Sequence, residues 1–111
     1  MDRVLIEEIN LLHAQICQCM ADPTRILILY SLAESPRYVT ELAETLGVSQ
    51  PTVSRHLKML RDRGLVTATR EGNSVNYALH DRRIIQALDL LRTVMADILT
   101  ERAELADVVG Q

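Results

Sequence analysis

The chain has 111 residues, 48% of them hydrophobic and 24% charged, with three tyrosines and neither phenylalanine nor tryptophan. That suffices for one domain with an aliphatic core, and it favours helices. No run approaches the roughly 18 apolar residues of a membrane span, and the amino end lacks a basic-then-apolar secretion signal. A membrane partner is therefore excluded and a cytoplasmic location expected, where Cys17 and Cys19 stay reduced. The formal net charge of −3 argues against a polyanionic partner only until it is mapped. Between Ser49 and Arg83 seven cations face three carboxylates, a surplus of four, whereas the segments on either side are acidic. Local field steers a polyanion more than net charge does, so this pattern is compatible with DNA.

In chain order, the first predicted helix spans Asp2 to Met20. Leu5, Ile6, Ile9, Leu12, Ile16, Cys19 and Met20 make its apolar stripe. Asp22-Pro23 breaks it and opens a second helix to about Glu34, apolar nearly all round through Ile26, Leu27, Leu29, Tyr30 and Ala33. Ser35-Pro36 ends that helix. A compact pair follows: Thr40 is expected to cap Glu41 to Leu46, Gly47 to end it in a left-handed conformation, and Ser49 to cap the next helix. Two helices joined by about four residues including a glycine have the spacing of a helix-turn-helix.

The second helix of that pair, Ser49 to Gly64, is the most informative stretch. Pro51 sits in its first turn, where a missing N–H costs nothing, and Gly64 closes it after Arg61 and Arg63. At about 100° per residue, Val53, Leu57 and Leu60 share one face, and Gln50, Ser54, Arg55, Lys58 and Arg61 spread over the other. Cations for phosphates and short polar or amide side chains for base edges are what a major groove requires. Arg55, Lys58, Arg61 and Arg70 are assigned mainly to phosphates, and Gln50, Thr52 and Ser54 to base edges. Beyond Gly64 the period becomes alternating. Leu65 to Arg70 and Ser74 to Leu79 read as two strands around the turn Glu71-Gly72-Asn73, with Arg70 and Asn73 near a tip that can reach neighbouring phosphates or the minor groove. A last helix, about Asp81 to Val108 with Asp81 as its cap, carries an apolar stripe from Ile84 to Leu105. At some 40 Å it is longer than one such domain needs, so the first and last helices are read as a dimer interface.

From about Met20 to Asp81 these residues resemble the ArsR/SmtB family of bacterial winged helix-turn-helix repressors. The resemblance is carried by Ala21-Asp22-Pro23-Thr24-Arg25-Ile26, by Glu41-Leu42-Ala43 with Leu46-Gly47-Val48-Ser49-Gln50-Pro51-Thr52-Val53-Ser54-Arg55-His56-Leu57, by Leu60 to Val66, and by Glu71-Gly72-Asn73-Ser74-Val75-Asn76-Tyr77. It implies a mainly α fold with a small β-hairpin, in the order α1-α2-α3-α4-β-β-α5. Residues 1–111 would then form a single domain, with 1–20 and 81–108 as dimerisation helices, 40–63 as the helix-turn-helix and 65–80 as the wing. It further implies a homodimer that binds a double-stranded DNA operator with inverted-repeat symmetry and represses transcription until an effector lowers its affinity.

The effector positions that the resemblance supplies are mostly vacant of donors. Tyr38, Thr40 and Ala43 stand where the arsenic-type site has cysteines. Asp81 is present but Arg83 and Val94 stand where the zinc-type site has histidines, with Asp97 near its end; neither arginine nor valine ligates zinc. The persulfide-type cysteines of the second and last helices are missing. What remains is Cys17 and Cys19, with His13 one turn before Cys17. Two residues apart on a helix is about 200° of rotation, so the two thiols cannot chelate one ion or join to each other while the helix is intact. His13 and Cys17 share a face and could form half of a tetrahedral site completed by another protomer. Three readings stay open: buried packing cysteines, a thiol-reactive sensor, and an inter-subunit metal or metalloid site held by thiolates. No cofactor or metal is otherwise assigned. His56 and His80 read as packing, phosphate-contact or capping residues.

No catalytic spacing is present, and His13 is the one candidate cation beside Cys17, so the chain is expected not to be an enzyme. The alternatives are a winged-helix module for protein–protein contact and a regulator without its own effector site.

Overall fold

In a computed structural model that describes residues 1–110, the backbone divides into two compact units, Met1–Asp81 and a second beginning at Arg82. In the first unit, helix α1 covers Arg3–Leu12, with the Asp2 carboxylate accepting the Val4 amide at 3.1 Å. The expected uninterrupted helix to Met20 does not form. His13–Cys17 is instead a π turn, in which the Gln18 amide bonds to the His13 carbonyl, five residues back, at 3.0 Å. Two distant hydrogen bonds account for the departure. The Ala14 carbonyl, which an α-helical Gln18 would have used, accepts from the Arg63 guanidinium, and the Gln15 side-chain amide donates to the Arg63 carbonyl at 3.1 Å. Periodicity carries no sign of partners 48 and 49 residues away.

Helix α2, Pro23–Glu34, starts as the sequence indicates: Asp22 Oδ1 accepts the amides of Thr24 at 2.8 Å and Arg25 at 3.4 Å. Its buried residues are Ile28, Leu29 and Leu32, while Leu27 is exposed, so it is less uniformly buried than its composition implies. A two-residue strand β1, Arg37–Tyr38, then pairs with the wing, an element absent from the sequence expectation. Helix α3, Val39–Leu46, begins one residue before the expected Thr40 cap. Strand pairing extends Tyr38 into the capping conformation, and its backbone N–H donates to the Glu41 carboxylate at 3.0 Å, leaving Thr40 inside the first turn.

Gly47 ends α3 at φ +64°, a left-handed conformation that a Cβ disfavours, and lets the Val48 amide close on the Ala43 carbonyl at 3.1 Å. Helix α4, Gln50–Asp62, follows behind Ser49, whose hydroxyl accepts the Thr52 amide at 3.3 Å. Strands β2, Val66–Glu71, and β3, Ser74–Leu79, pair antiparallel from Val66↔Leu79 to Glu71↔Ser74 around Gly72-Asn73. The sheet order is β1-β3-β2, three strands rather than the hairpin alone. Cys19, Ile28, Leu29, Leu42, Val53, Leu57 and Leu60 form the fully buried centre of this unit, aliphatic but for one thiol.

The second unit is helix α5, Arg83–Val109, about 40 Å long. Asp81 is not its cap. Arg82 takes that position, its carbonyl accepting the amides of Ile85 at 3.0 Å and Gln86 at 3.1 Å. Leu90, Leu91, Val94, Met95, Ile98, Leu99 and Leu105 are exposed along α5, as are Val4, Leu5, Ile6, Ile9, Leu11 and Leu12 on α1. Among the described residues no helix is long and apolar enough to cross a membrane.

Candidate nucleic-acid interface

Helix α4 has two faces of different chemistry. Val53, Leu57 and Leu60 are fully buried, and Gln50, Ser54, Arg55, Lys58 and Arg61 are all exposed on the opposite side. Burial of one face fixes which side chains the other can offer, and the amphipathic spacing predicted that division. The exposed face is internally organised at its amino end. The Ser49 hydroxyl donates to Thr52 Oγ1 at 2.9 Å, and the Arg55 guanidinium donates to the same oxygen at 3.2 Å. Thr52 is half-buried and its hydroxyl is engaged in orienting Arg55 rather than pointing outward unpartnered. Lys58 pairs with Asp62 at 2.9 Å, one turn on, where both side chains are more than half exposed. Such a pair contributes about 0.2–0.5 kcal/mol and gives way readily to a phosphate. Arg61 has no ion pair among the described residues.

The wing brings Arg70 and Asn73 to its tip, both exposed, with Arg70 opposite Val75 and Asn73 in the two-residue turn. The tip end of β2 is tied to β1: the Tyr38 hydroxyl donates to the carboxylate of Glu71, beside the turn, which also accepts from Asn76 Nδ2 at 3.4 Å. The bond to Glu71, with its negative charge, pushes the Tyr38 phenol above its ordinary range. Glu71 is thereby occupied on the side of β1, which leaves Arg70 as the cation of the tip.

The residues proposed for sensing are separated. Cys17 ends the π turn and is exposed; Cys19, two residues later, is fully buried. Burial pushes the Cys19 thiol up, with Arg25 and Arg63 only partly offsetting it, so it is a weak nucleophile. His13 opens the π turn and is exposed. Among the described residues no three His, Cys, Asp or Glu side chains are grouped closely enough to hold a metal ion.

One cluster escapes sequence reasoning. Arg25, 13% exposed, donates from Nε to the Cys19 carbonyl at 2.6 Å and from Nη2 to the Gln18 carbonyl at 3.3 Å, and its Nη1 lies 3.2 Å from His56 Nδ1 on α4. Asp22 lies 4.0 Å from both Arg25 and His56. Partial desolvation would raise the Asp22 pKa, but the amides of Thr24 and Arg25, with the electrostatic attraction of the His56 ring and of the Arg25 guanidinium, outweigh it and hold the carboxyl below its ordinary value. The only local signal was His56 beside a buried face.

Residues 22–68 match the model for bacterial regulatory proteins of the arsR family. The chain is also 44% identical over 84 residues to the HTH-type transcriptional regulator CmtR of Mycobacterium bovis, covering 75% of this chain and 71% of that protein. The chain belongs to the ArsR family. This ArsR-family protein is a DNA-binding transcriptional regulator of winged helix-turn-helix fold, and not an enzyme. It is 43% identical over 76 residues to the HTH-type transcriptional regulator NmtR of Mycobacterium tuberculosis; that match spans 68% of this chain but only 63% of NmtR. Its backbone also resembles the solution structure of the homodimeric winged helix-turn-helix DNA-binding domain of Mb0332 from Mycobacterium bovis. The TM-score is 0.75 at 26% identity, over 91% of this chain and 93% of that one.

Proposed function

We propose that this ArsR-family regulator acts in the cytoplasm as a homodimeric repressor on an inverted-repeat operator. In this reading α4 lies in the major groove and the wing tip on the adjacent backbone. The observation that carries it is the exposed face of α4, which offers Gln50, Ser54, Arg55, Lys58 and Arg61 and no carboxylate but the paired Asp62. Arg55, Lys58, Arg61 and Arg70 contact phosphates, Asn73 lies beside them at the wing, Gln50 and Ser54 face base edges, and Thr52, expected from the sequence to do the same, instead orients Arg55 through its hydroxyl. Residues 1–20 and 81–108 supply the dimer contacts. Their exposed aliphatic side chains and the homodimeric state of the Mb0332 domain support that role. Residues 1–111 work as one domain in this arrangement.

Selection of duplexes from a random pool by the full chain tests the reading. The expected product is two half-sites related by a two-fold axis, about one helical turn apart. Gln50→Ala is expected to lose preference at one or two positions per half-site, by about 1–3 kcal/mol each, with little change in affinity for random duplex. A pool that shows no enrichment would point to a protein–protein module instead.

Release from the operator is assigned to the amino-terminal segment, with exposed Cys17 as the reactive thiol and buried Cys19 and exposed His13 in the same segment. A thiophilic metal or metalloid ion bound there would need donors from both protomers, because one chain presents no three-residue group among its described residues. Operator release is measured against arsenite, divalent metals, persulfide and peroxide, using wild type, Cys17→Ser and Cys19→Ser. The expected result is that Cys17→Ser abolishes the response to the active compound. Unchanged responses in both variants would leave a regulator whose effector site is elsewhere.

A further inference from the structure

Burial of Val53, Leu57 and Leu60 fixes which face of α4 is inside, but apolar contact is non-directional and leaves a small residual rotation unset. A hydrogen bond from a fixed fork is directional. The Arg25 guanidinium is such a fork. Its Nε and Nη2 are held by the carbonyls of Cys19 and Gln18, at 2.6 and 3.3 Å, and its Nη1 meets His56 Nδ1 at 3.2 Å. Because a guanidinium has donors and no acceptor, Nδ1 must present its lone pair, which places the ring proton on Nε2, the nitrogen 4.0 Å from Asp22 Oδ1. The imidazole is therefore held on both sides, by a cation that donates and a carboxylate that attracts the ring proton. Both Arg25 and His56 are largely buried, at 13% and 16% side-chain exposure, so the pair is poorly accessible to competing water. His56 is two residues from Ser54 and six from Gln50 on the same rigid helix, and a rotation of α4 would carry those side chains across the base edges.

We propose that Arg25 and His56 are positioning residues that set the rotation of α4 and so the sequence discrimination of the regulator, without themselves touching DNA. The inference rests on α4 entering the major groove. It separates discrimination from bulk affinity: phosphate contacts from flexible lysine and arginine stems tolerate a small rotation, and base contacts do not.

The experiment compares affinity for a duplex selected by wild type with affinity for random duplex, in His56→Asn, His56→Gln and Arg25→Lys. Asparagine can set its amide oxygen where Nδ1 stands, whereas glutamine carries the equivalent oxygen one methylene further, past the reach of Nη1. The two are otherwise alike in polarity. Asparagine is expected to keep the specific-to-random ratio within about threefold of wild type. Glutamine and Arg25→Lys are expected to lower it about tenfold, a change the size of one misread base pair, while random-duplex affinity stays within about twofold. Equal ratios in the asparagine and glutamine variants would overturn the proposal, as would a fall in random-duplex affinity as large as that for the selected duplex. If wild type selected no duplex, the groove reading and this inference would both be overturned. Selection by wild type with ratios unchanged in all variants would overturn this inference alone.

Discussion

Leu57→Ala is expected to lower the free energy of unfolding by about 3 kcal/mol, within the roughly 2–5 kcal/mol range for removing a buried leucine side chain. Leu57 is fully buried, between Val53 and Leu60 on the face of α4 that enters the core. The buried centre of this unit has only aliphatic side chains and one thiol around Leu57, whose partial relaxation leaves part of the cavity unfilled. For a domain with marginal stability of about 5–15 kcal/mol this is a large share. Urea denaturation at one fixed protomer concentration reads it as a lower midpoint with an unchanged slope. A loss below about 1 kcal/mol would mean that α4 is not seated as described.

The neighbouring substitution, Lys58→Ala, is expected to leave that midpoint within about 0.5 kcal/mol and to act on DNA instead. Its pair with Asp62 is exposed on both sides, so little stability is lost with it. In a symmetric dimer the substitution removes two phosphate contacts, one per protomer. The slope of log affinity against log salt should then fall in magnitude by about 1.8, and affinity at 0.15 M salt by about thirtyfold, for selected and random duplex alike. An unchanged salt slope would show that this side chain does not reach the backbone. Two adjacent residues are thus expected to separate the seating of α4 from its proposed contact with DNA.

How far such features could be read without coordinates depended on how local their causes are. The ends of α4 were legible because a serine hydroxyl capping its own helix and a glycine closing it are effects of a few residues. The division of its faces was legible because 3.6-residue periodicity survives any packing arrangement. Strand β1 was not. Arg37 and Tyr38 are too few to show alternation, and they are a strand only because Tyr77 and Asn76 pair with them. The two-residue shift in the start of α3, from Glu41 to Val39, follows from that same pairing. Asp81 resembled a cap by residue type, and only the backbone shows Arg82 in that place. The bonds of Arg25 to His56 and of Arg63 to Ala14 span 31 and 49 residues, and no spacing rule relates positions so far apart. Arg25 stands in the Ala21-Asp22-Pro23-Thr24-Arg25-Ile26 motif, but the motif alone does not say what its guanidinium holds.

The π turn at His13–Cys17 also has a meaning in the arithmetic of inheritance. A π turn is an α-helix with one residue more than its hydrogen-bond ladder can absorb, so this segment is one codon longer than a straight helix between the same two ends would be. Loss of a single codon there would let the ladder close without moving either flank far. The Ala14 carbonyl would return to its own helix, and Arg63 at the end of α4 would lose that acceptor. The hydrogen bond from Arg63 to the cysteine-bearing segment therefore hangs on a length difference of one residue, a change that substitution tables do not score and that an alignment would record as a gap.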